Sequence, residues 1–208
     1  MGADPRPIRR RQPRFVTLVA EIVAERAALL RPRAVFREIA VRNEGAGRLL
    51  LEDGTELRSE TLRQRLAGAE SVLAVVGTIG NELEDSAESH GLEQRLILDA
   101  LGTAGITALT ESILYDTRTR AKQQGLEVTR ALNPGMKGWE LAEGQTQIFA
   151  LVDRRAVGVS LNSTFMMTPR KSVSFLVGIG STVKEGPRTC EECGAAAHCR
   201  HKTQLYAC

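Results

Sequence analysis

From Phe15 to Leu30 the apolar residues recur every three to four positions, the period of a helix with one buried face. Arg31-Pro32 ends the run, because proline disfavours helical backbone in the residue before it. The period then shortens. AVFREIAV (34–41) and GRLLLEDGTELRS (47–59) read as strands, the second folding into a hairpin at Glu52-Asp53-Gly54. Ser59 is placed to cap a short helix opening with Glu60-Thr61-Leu62. SVLAVVGTIG (71–80) is nearly unbroken in apolar character, which predicts a strand buried on both faces.

The segment from Leu92 to about Gln124, stopped by Gly125, is the longest helix the pattern predicts. At the helical repeat, Leu96, Ala100, Ala104, Thr107, Ala108, Glu111, Leu114 and Tyr115 share one arc, while Leu98, Ile106, Leu109 and Ile113 lie opposite. A helix apolar on both sides is expected at the centre of a fold, and Gly102, Ala104, Gly105 and Ala108 would let a backbone or a ligand approach closely. Within such an arc the Glu111 carboxylate would need a cationic or hydrogen-bonding partner.

Beyond Gly125 come a short strand in LEVTR (126–130), a turn at Asn133-Pro134-Gly135, an amphipathic helix over 139–152, and strands in AVGVSL (156–161) and SVSFLVGIG (172–180). Between these last two strands, Thr168-Pro169-Arg170-Lys171 puts a proline and two cations amid apolar segments. No repeat or low-complexity block interrupts the series.

A hydrophobic content of 42% is enough to build one sizeable core, whereas 4% aromatics argue against a base-stacking nucleic-acid platform. The net charge of +3 comes from one place: Arg6, Arg9, Arg10, Arg11 and Arg14 lie in the first fourteen residues beside a single acid, Asp4. Outside that segment the 28 basic residues fall to 23 and the 25 acidic ones to 24, a net of −1, so no basic binding face is expected on the body. Glu21 and Glu25 interrupt the apolar run after Arg9-Arg10-Arg11 before it reaches signal-peptide length. With VLAVV (72–76) as its longest unbroken aliphatic stretch, the chain reads as cytoplasmic, with no membrane and no nucleic-acid partner.

All four cysteines fall in the last nineteen residues, Cys190, Cys193, Cys199 and Cys208, spaced C-x2-C-x5-C-x8-C. In a cytoplasmic chain this grouping points to a metal site rather than to structural disulfides. Four thiolates suit zinc or an iron–sulfur cluster, and His198 or His201 could replace one of them.

NPGMKGWELAEGQTQIFALV, VGVSLNSTFMMTPRKSVSFLVGIG, GTIGNELED and LILDALGTAGITALTESI together resemble the activation domain of cobalamin-dependent methionine synthase in its stand-alone form. The resemblance spans roughly residues 72–181 and is strongest over 133–180. It implies an α+β fold, a twisted mixed or antiparallel sheet with a long central helix. Residues 1–14 would then form an Arg- and Pro-rich tail, 15–182 the activation-domain-like body, and 183–208 a Cys-rich metal-binding tail. It implies reductive reactivation: cob(II)alamin on a methionine synthase or other corrinoid partner is returned to methylcobalamin, with S-adenosylmethionine as methyl donor.

The same resemblance assigns Arg130 and Glu111 to the carboxylate and ammonium of adenosylmethionine, Pro134 and Gly135 to the turn beside it, and Pro169, Arg170 and Lys171 to a loop facing the cobalamin. Because the process needs an electron, it favours a 4Fe-4S cluster over zinc on the cysteines, supplied by a reduced ferredoxin- or flavodoxin-type donor. The family usually has Arg-x-x-Pro-Gly-Tyr, whereas this chain has Arg130-Ala-Leu-Asn-Pro-Gly-Met136, one residue longer and without the phenol. The alternatives are an electron-transfer or corrinoid-binding partner without methyl transfer, a subunit of a split methionine synthase, and a zinc-stapled interaction domain.

Overall fold

The computed structural model describes residues 12–45, 48–88 and 90–186. The four cysteines, His198, His201 and the first eleven residues lie outside these. Eight strands and five α-helices follow in chain order. They are α1 (Pro13–Arg26), β1 (Arg33–Gly45), β2 (Arg48–Leu51), β3 (Glu56–Arg58), α2 (Glu60–Arg65), β4 (Ser71–Thr78), α3 (Glu82–Ala87), α4 (Leu92–Gln123), β5 (Glu127–Val128), α5 (Leu141–Leu151), β6 (Ser160–Leu161), β7 (Met167–Thr168) and β8 (Ser172–Gly180).

Six strands form one sheet in the order β3-β2-β1-β4-β8-β5, and every neighbouring pair is antiparallel. β4 and β8 are central, which accounts for their unbroken apolar runs: a strand covered on both faces has no position to give to water. Val72, Ala74, Val76 and Leu176 point into a core shared with Trp139, Ile148 and Phe149 of the α5 region and Leu62 and Leu66 near α2. Leu73, Val75, Phe175 and Val177 point the other way, where Ile113, Leu114 and Ala121 of α4 pack over them. The fold is therefore α+β, with helices on both faces of an antiparallel sheet.

Local chemistry sets the ends of several elements. The β2–β3 hairpin turns where expected, with the Thr55 N–H donating to Asp53 Oδ1 at 3.0 Å. Ser59 caps α2 by accepting from the Leu62 N–H at 3.2 Å. Two expectations shift. AVGVSL divides into a 3-10 turn at Arg154–Val157 and a two-residue strand that pairs with β7 instead of joining the main sheet. The six residues of α3, between β4 and α4, form a helix too short to leave a periodic signature.

α4 runs along one face of the sheet and meets α1 and α3 through Ile97, Leu98 and Leu101. By length and composition it is the described helix long and apolar enough to cross a membrane, although no unbroken aliphatic run marks it in the sequence. Its hydropathy comes from leucines and isoleucines within and beside a charge-free stretch, Ala100 to Thr110. Its buried residues are Ile97, Leu98, Gly102, Thr117 and Ala121. The arc that carries Glu111 faces outward over most of its length, although Leu114 turns to the sheet: Leu96 is 63% and Tyr115 70% exposed, and Ala104, Thr107, Ala108 and Glu111 are exposed between them. Glu111 is thus solvated where the sequence suggested burial, because the sheet and α1 together cover only the other side of the helix.

Candidate functional site

The Asn-Pro-Gly turn and α5 are built against each other. Met136 N–H donates to Asn133 O at 3.2 Å, and Gly135 N–H to Trp139 O at 2.9 Å, which closes a compact loop. Trp139 is buried and donates through Nε1 to Gln147 Oε1 at 2.9 Å. The loop can lie this close to the helix because of Gly144, where a Cβ would come within 2.8 Å of both Pro134 Cβ and Trp139 Cε2. Next to it, buried Gln145 accepts from the Ser174 hydroxyl at 2.9 Å, tying α5 to β8. The shared motif GWELAEGQTQ and the SVSF of β8 thus form one scaffold, with Pro134 and Gly135 as its corner.

At the start of β8 lies the proline-cation step. The Thr168–Pro169 bond is cis, and Pro169 is buried. Ser172 donates to Pro169 O at 2.6 Å, holding the turn onto the strand. Arg170 and Lys171 then reach across to α3 and α4. Arg170 Nε meets Glu84 Oε1 at 2.8 Å and its Nη2 meets Asp99 Oδ1 at 3.2 Å. Lys171 Nζ lies 2.9 Å from the same Asp99 oxygen and donates to Thr103 Oγ1 at 2.9 Å. Its stem lies along Gly102, where a Cβ would stand 3.2 Å from Lys171 Cε.

The hydrogen bond and charge of Glu84 raise the pKa of Arg170, although the side chain is 71% exposed and solvent weakens the pair. Lys171, at 14%, is the better shielded of the two. A cavity of about 130 Å³ opens beside them, lined by Glu84, Arg95, Asp99, Gly102, Arg170 and Lys171 among others. The step therefore locks β8 to two helices, with its cations matched by two carboxylates.

Arg130 sits elsewhere. The Thr129 N–H donates to Gly178 O and the Leu132 N–H to Leu176 O, so Arg130 lies alongside the C-terminal half of β8. Some seven strand residues, roughly 24 Å, separate that level from Lys171. Its guanidinium is engaged: Nη2 is 2.8 Å from Glu185 Oε1, and Nε donates to Gly186 O at 3.3 Å. Its N–H donates to Glu185 O at 3.0 Å. Glu111 lies on the outward face of α4 and makes no ion pair among the described residues.

The expected site residues thus occupy four places: Arg130 beside Glu185, the Pro134–Gly135 turn against α5, the Pro169–Lys171 lock, and the open face of α4. Sequence reasoning missed Glu84, Asp99 and Thr103 as partners of the cations, although Asp99 and Thr103 one turn apart on α4 were a signal. It also missed Glu185, for which nothing local gives a sign. Among the described residues no group of three or more His, Cys, Asp or Glu is placed to hold a metal.

No family model matches the sequence, and no curated protein matches it. Among solved structures, it is similar to the crystal structure of the MetH reactivation domain bound to AdoHcy, with a TM-score of 0.65 at 15% identity. The match covers 86% of this chain and 70% of that one. The chain has the reactivation-domain fold. The likeness takes in far more than the stretch the sequence motifs covered, so the reactivation-domain architecture extends through much of the N-terminal part, where the sequence carried no recognisable signal.

Proposed function

We propose that this protein reactivates a corrinoid methyltransferase of the methionine-synthase type, using S-adenosylmethionine to remethylate cob(II)alamin carried by a partner. One observation carries the reading: the fold is that of a reactivation domain solved with AdoHcy, the product that adenosylmethionine leaves after giving up its methyl group. The reaction balances as one electron delivered to the partner's cobalt, followed by attack of the reduced cobalt on the sulfonium methyl. The carbon–sulfur bond breaks, its pair stays on sulfur, and a cobalt–carbon bond forms.

What the chain contributes is positioning and exclusion of water. The outward face of α4 suits approach by a planar corrin, since Ala104, Thr107 and Ala108 are exposed and short and would hold a partner close to the helix. The Pro169–Lys171 lock fixes the N-terminal half of α4 against β8 through Asp99 and Thr103. The Arg130 corner supplies a guanidinium suited to an amino-acid carboxylate. Cys190, Cys193, Cys199 and Cys208 form a donor set that fits an iron–sulfur cluster, with zinc as the competing occupant. Such a cluster, fed by a ferredoxin- or flavodoxin-type donor, would provide one-electron chemistry. The cytoplasm is the compartment consistent with these partners.

A second reading, a corrinoid-binding electron carrier without methyl transfer, draws on Met136 in place of the family's tyrosine and on the occupation of Arg130 by Glu185. An anoxic assay separates them. Reductant, adenosylmethionine and the full-length protein are added to a corrinoid protein in its cob(II)alamin state, and the absorption spectrum is followed. Conversion to methylcobalamin that depends on adenosylmethionine supports reactivation; reduction that ignores adenosylmethionine supports the carrier.

A further inference from the structure

Arg130 is held by the segment that follows β8. Glu185 and Gly186 receive three contacts from it: backbone N–H to Glu185 O at 3.0 Å, Nη2 to Glu185 Oε1 at 2.8 Å, and Nε to Gly186 O at 3.3 Å. A second guanidinium lies close to Gly186. Gly186 has φ +80, and a Cβ there would stand 2.7 Å from Arg65 Nη2. Two arginines from separate elements, the end of α2 and the chain after β5, thus converge on one two-residue step. The Glu185 carboxylate already pairs with one of them, Arg130, and in sequence the cysteines follow Gly186.

We infer that Glu185 is an intramolecular stand-in for a ligand carboxylate, and that a ligand bearing an α-amino-acid carboxylate takes Arg130 by displacing it, releasing the root of the C-terminal segment. The inference rests on the proposed adenosylmethionine reading for the chemical class of the ligand. The contact geometry does not depend on that reading. The Nε–Nη2 edge of the Arg130 guanidinium is taken up by Gly186 O and Glu185 Oε1, so a ligand carboxylate that binds this edge side-on must displace them. The pair is one a ligand can displace, since Arg130 is 32% and Glu185 56% exposed at the side chain, and ion pairs so placed are weak. Binding on that edge and anchorage are then mutually exclusive. Occupation of the corner would loosen the root of the segment carrying Cys190 to Cys208 whenever a methyl donor is present.

The test compares full-length wild type with Glu185→Gln by calorimetry, using S-adenosylhomocysteine and 5′-methylthioadenosine, which lacks the amino-acid carboxylate. The variant removes an exposed charge and keeps the backbone contacts. It is expected to bind S-adenosylhomocysteine about two- to five-fold more tightly, the scale of an exposed ion pair, and methylthioadenosine no differently. In parallel, S-adenosylhomocysteine should speed tryptic cleavage of the wild type after Lys184, and methylthioadenosine should not. Equal affinity of both proteins for S-adenosylhomocysteine overturns the latch and leaves the proposed function standing. A gain of the same size for both ligands also overturns it. Failure of both proteins to bind either ligand overturns the adenosylmethionine reading, and the latch with it.

Discussion

Gly144 shows how one missing side chain can decide the shape of a corner. Its Cα hydrogens face Pro134 and the Trp139 ring, and a methyl group there would come within 2.8 Å of each. Trp139 is buried and held by Gln147, so it cannot swing aside at low cost. Gly144→Ala is therefore expected to lower stability by about 1–3 kcal/mol, the usual cost of overpacking, read as a lower denaturant midpoint. Glu60 gives a second residue-scale prediction. Hydrogen bonds from Arg63, then from Gln64, pull its pKa from 4.5 to about 2. In the window between those values the folded protein binds fewer protons than the unfolded chain, so stability from this group rises with pH. Its contribution should be complete above pH 4.5 and fade as pH falls toward about 2. Carboxyl chemical shifts in an NMR titration would place the folded pKa directly, and a value near 4.5 would contradict the assignment.

At the scale of elements, the lock between β8, α3 and α4 is the feature with the clearest consequence. A double-mutant cycle on Lys171→Met and Asp99→Asn should return a coupling of about 0.5–1 kcal/mol, near the top of the range for partly exposed pairs because Lys171 is largely shielded. The same elements show what sequence could reveal. β4 and β8 were readable because burial on both faces leaves no polar positions, and the β2–β3 hairpin because Asp53-Gly54 is turn chemistry. The length of α4 was readable too. Its orientation was not: periodicity shows two apolar arcs without showing which one meets the sheet, and the Glu111 carboxylate, for which the arc called for a partner, is met by solvent. β5 falls within the short strand expected over 126–130, but its place at the edge of the sheet, like the pairing of β6 with β7, depends on neighbours brought close by the rest of the chain. The site was legible as motifs and illegible as contacts, because Glu84, Asp99 and Glu185 become partners of cations only through the sheet topology.

For the whole molecule, the three described core clusters draw on residues between Phe15 and Val183. On the proposed reading of the tail as a cluster site, Cys190→Ala combined with Cys193→Ala should remove bound iron and visible absorption from anoxically purified protein and leave the thermal midpoint within a few degrees of wild type. A large loss of stability would show that the tail staples the fold, as a zinc-binding interaction domain would require. The most direct test of the central claim follows a methyl group. Full-length, metal-replete protein, reductant and methyl-labelled adenosylmethionine are incubated without oxygen with a cob(II)alamin-loaded corrinoid protein, and the label on cobalt is counted. Reactivation predicts label on the partner's cobalt matched one-to-one by S-adenosylhomocysteine; unlabelled cobalt still in the cob(II) state would contradict it.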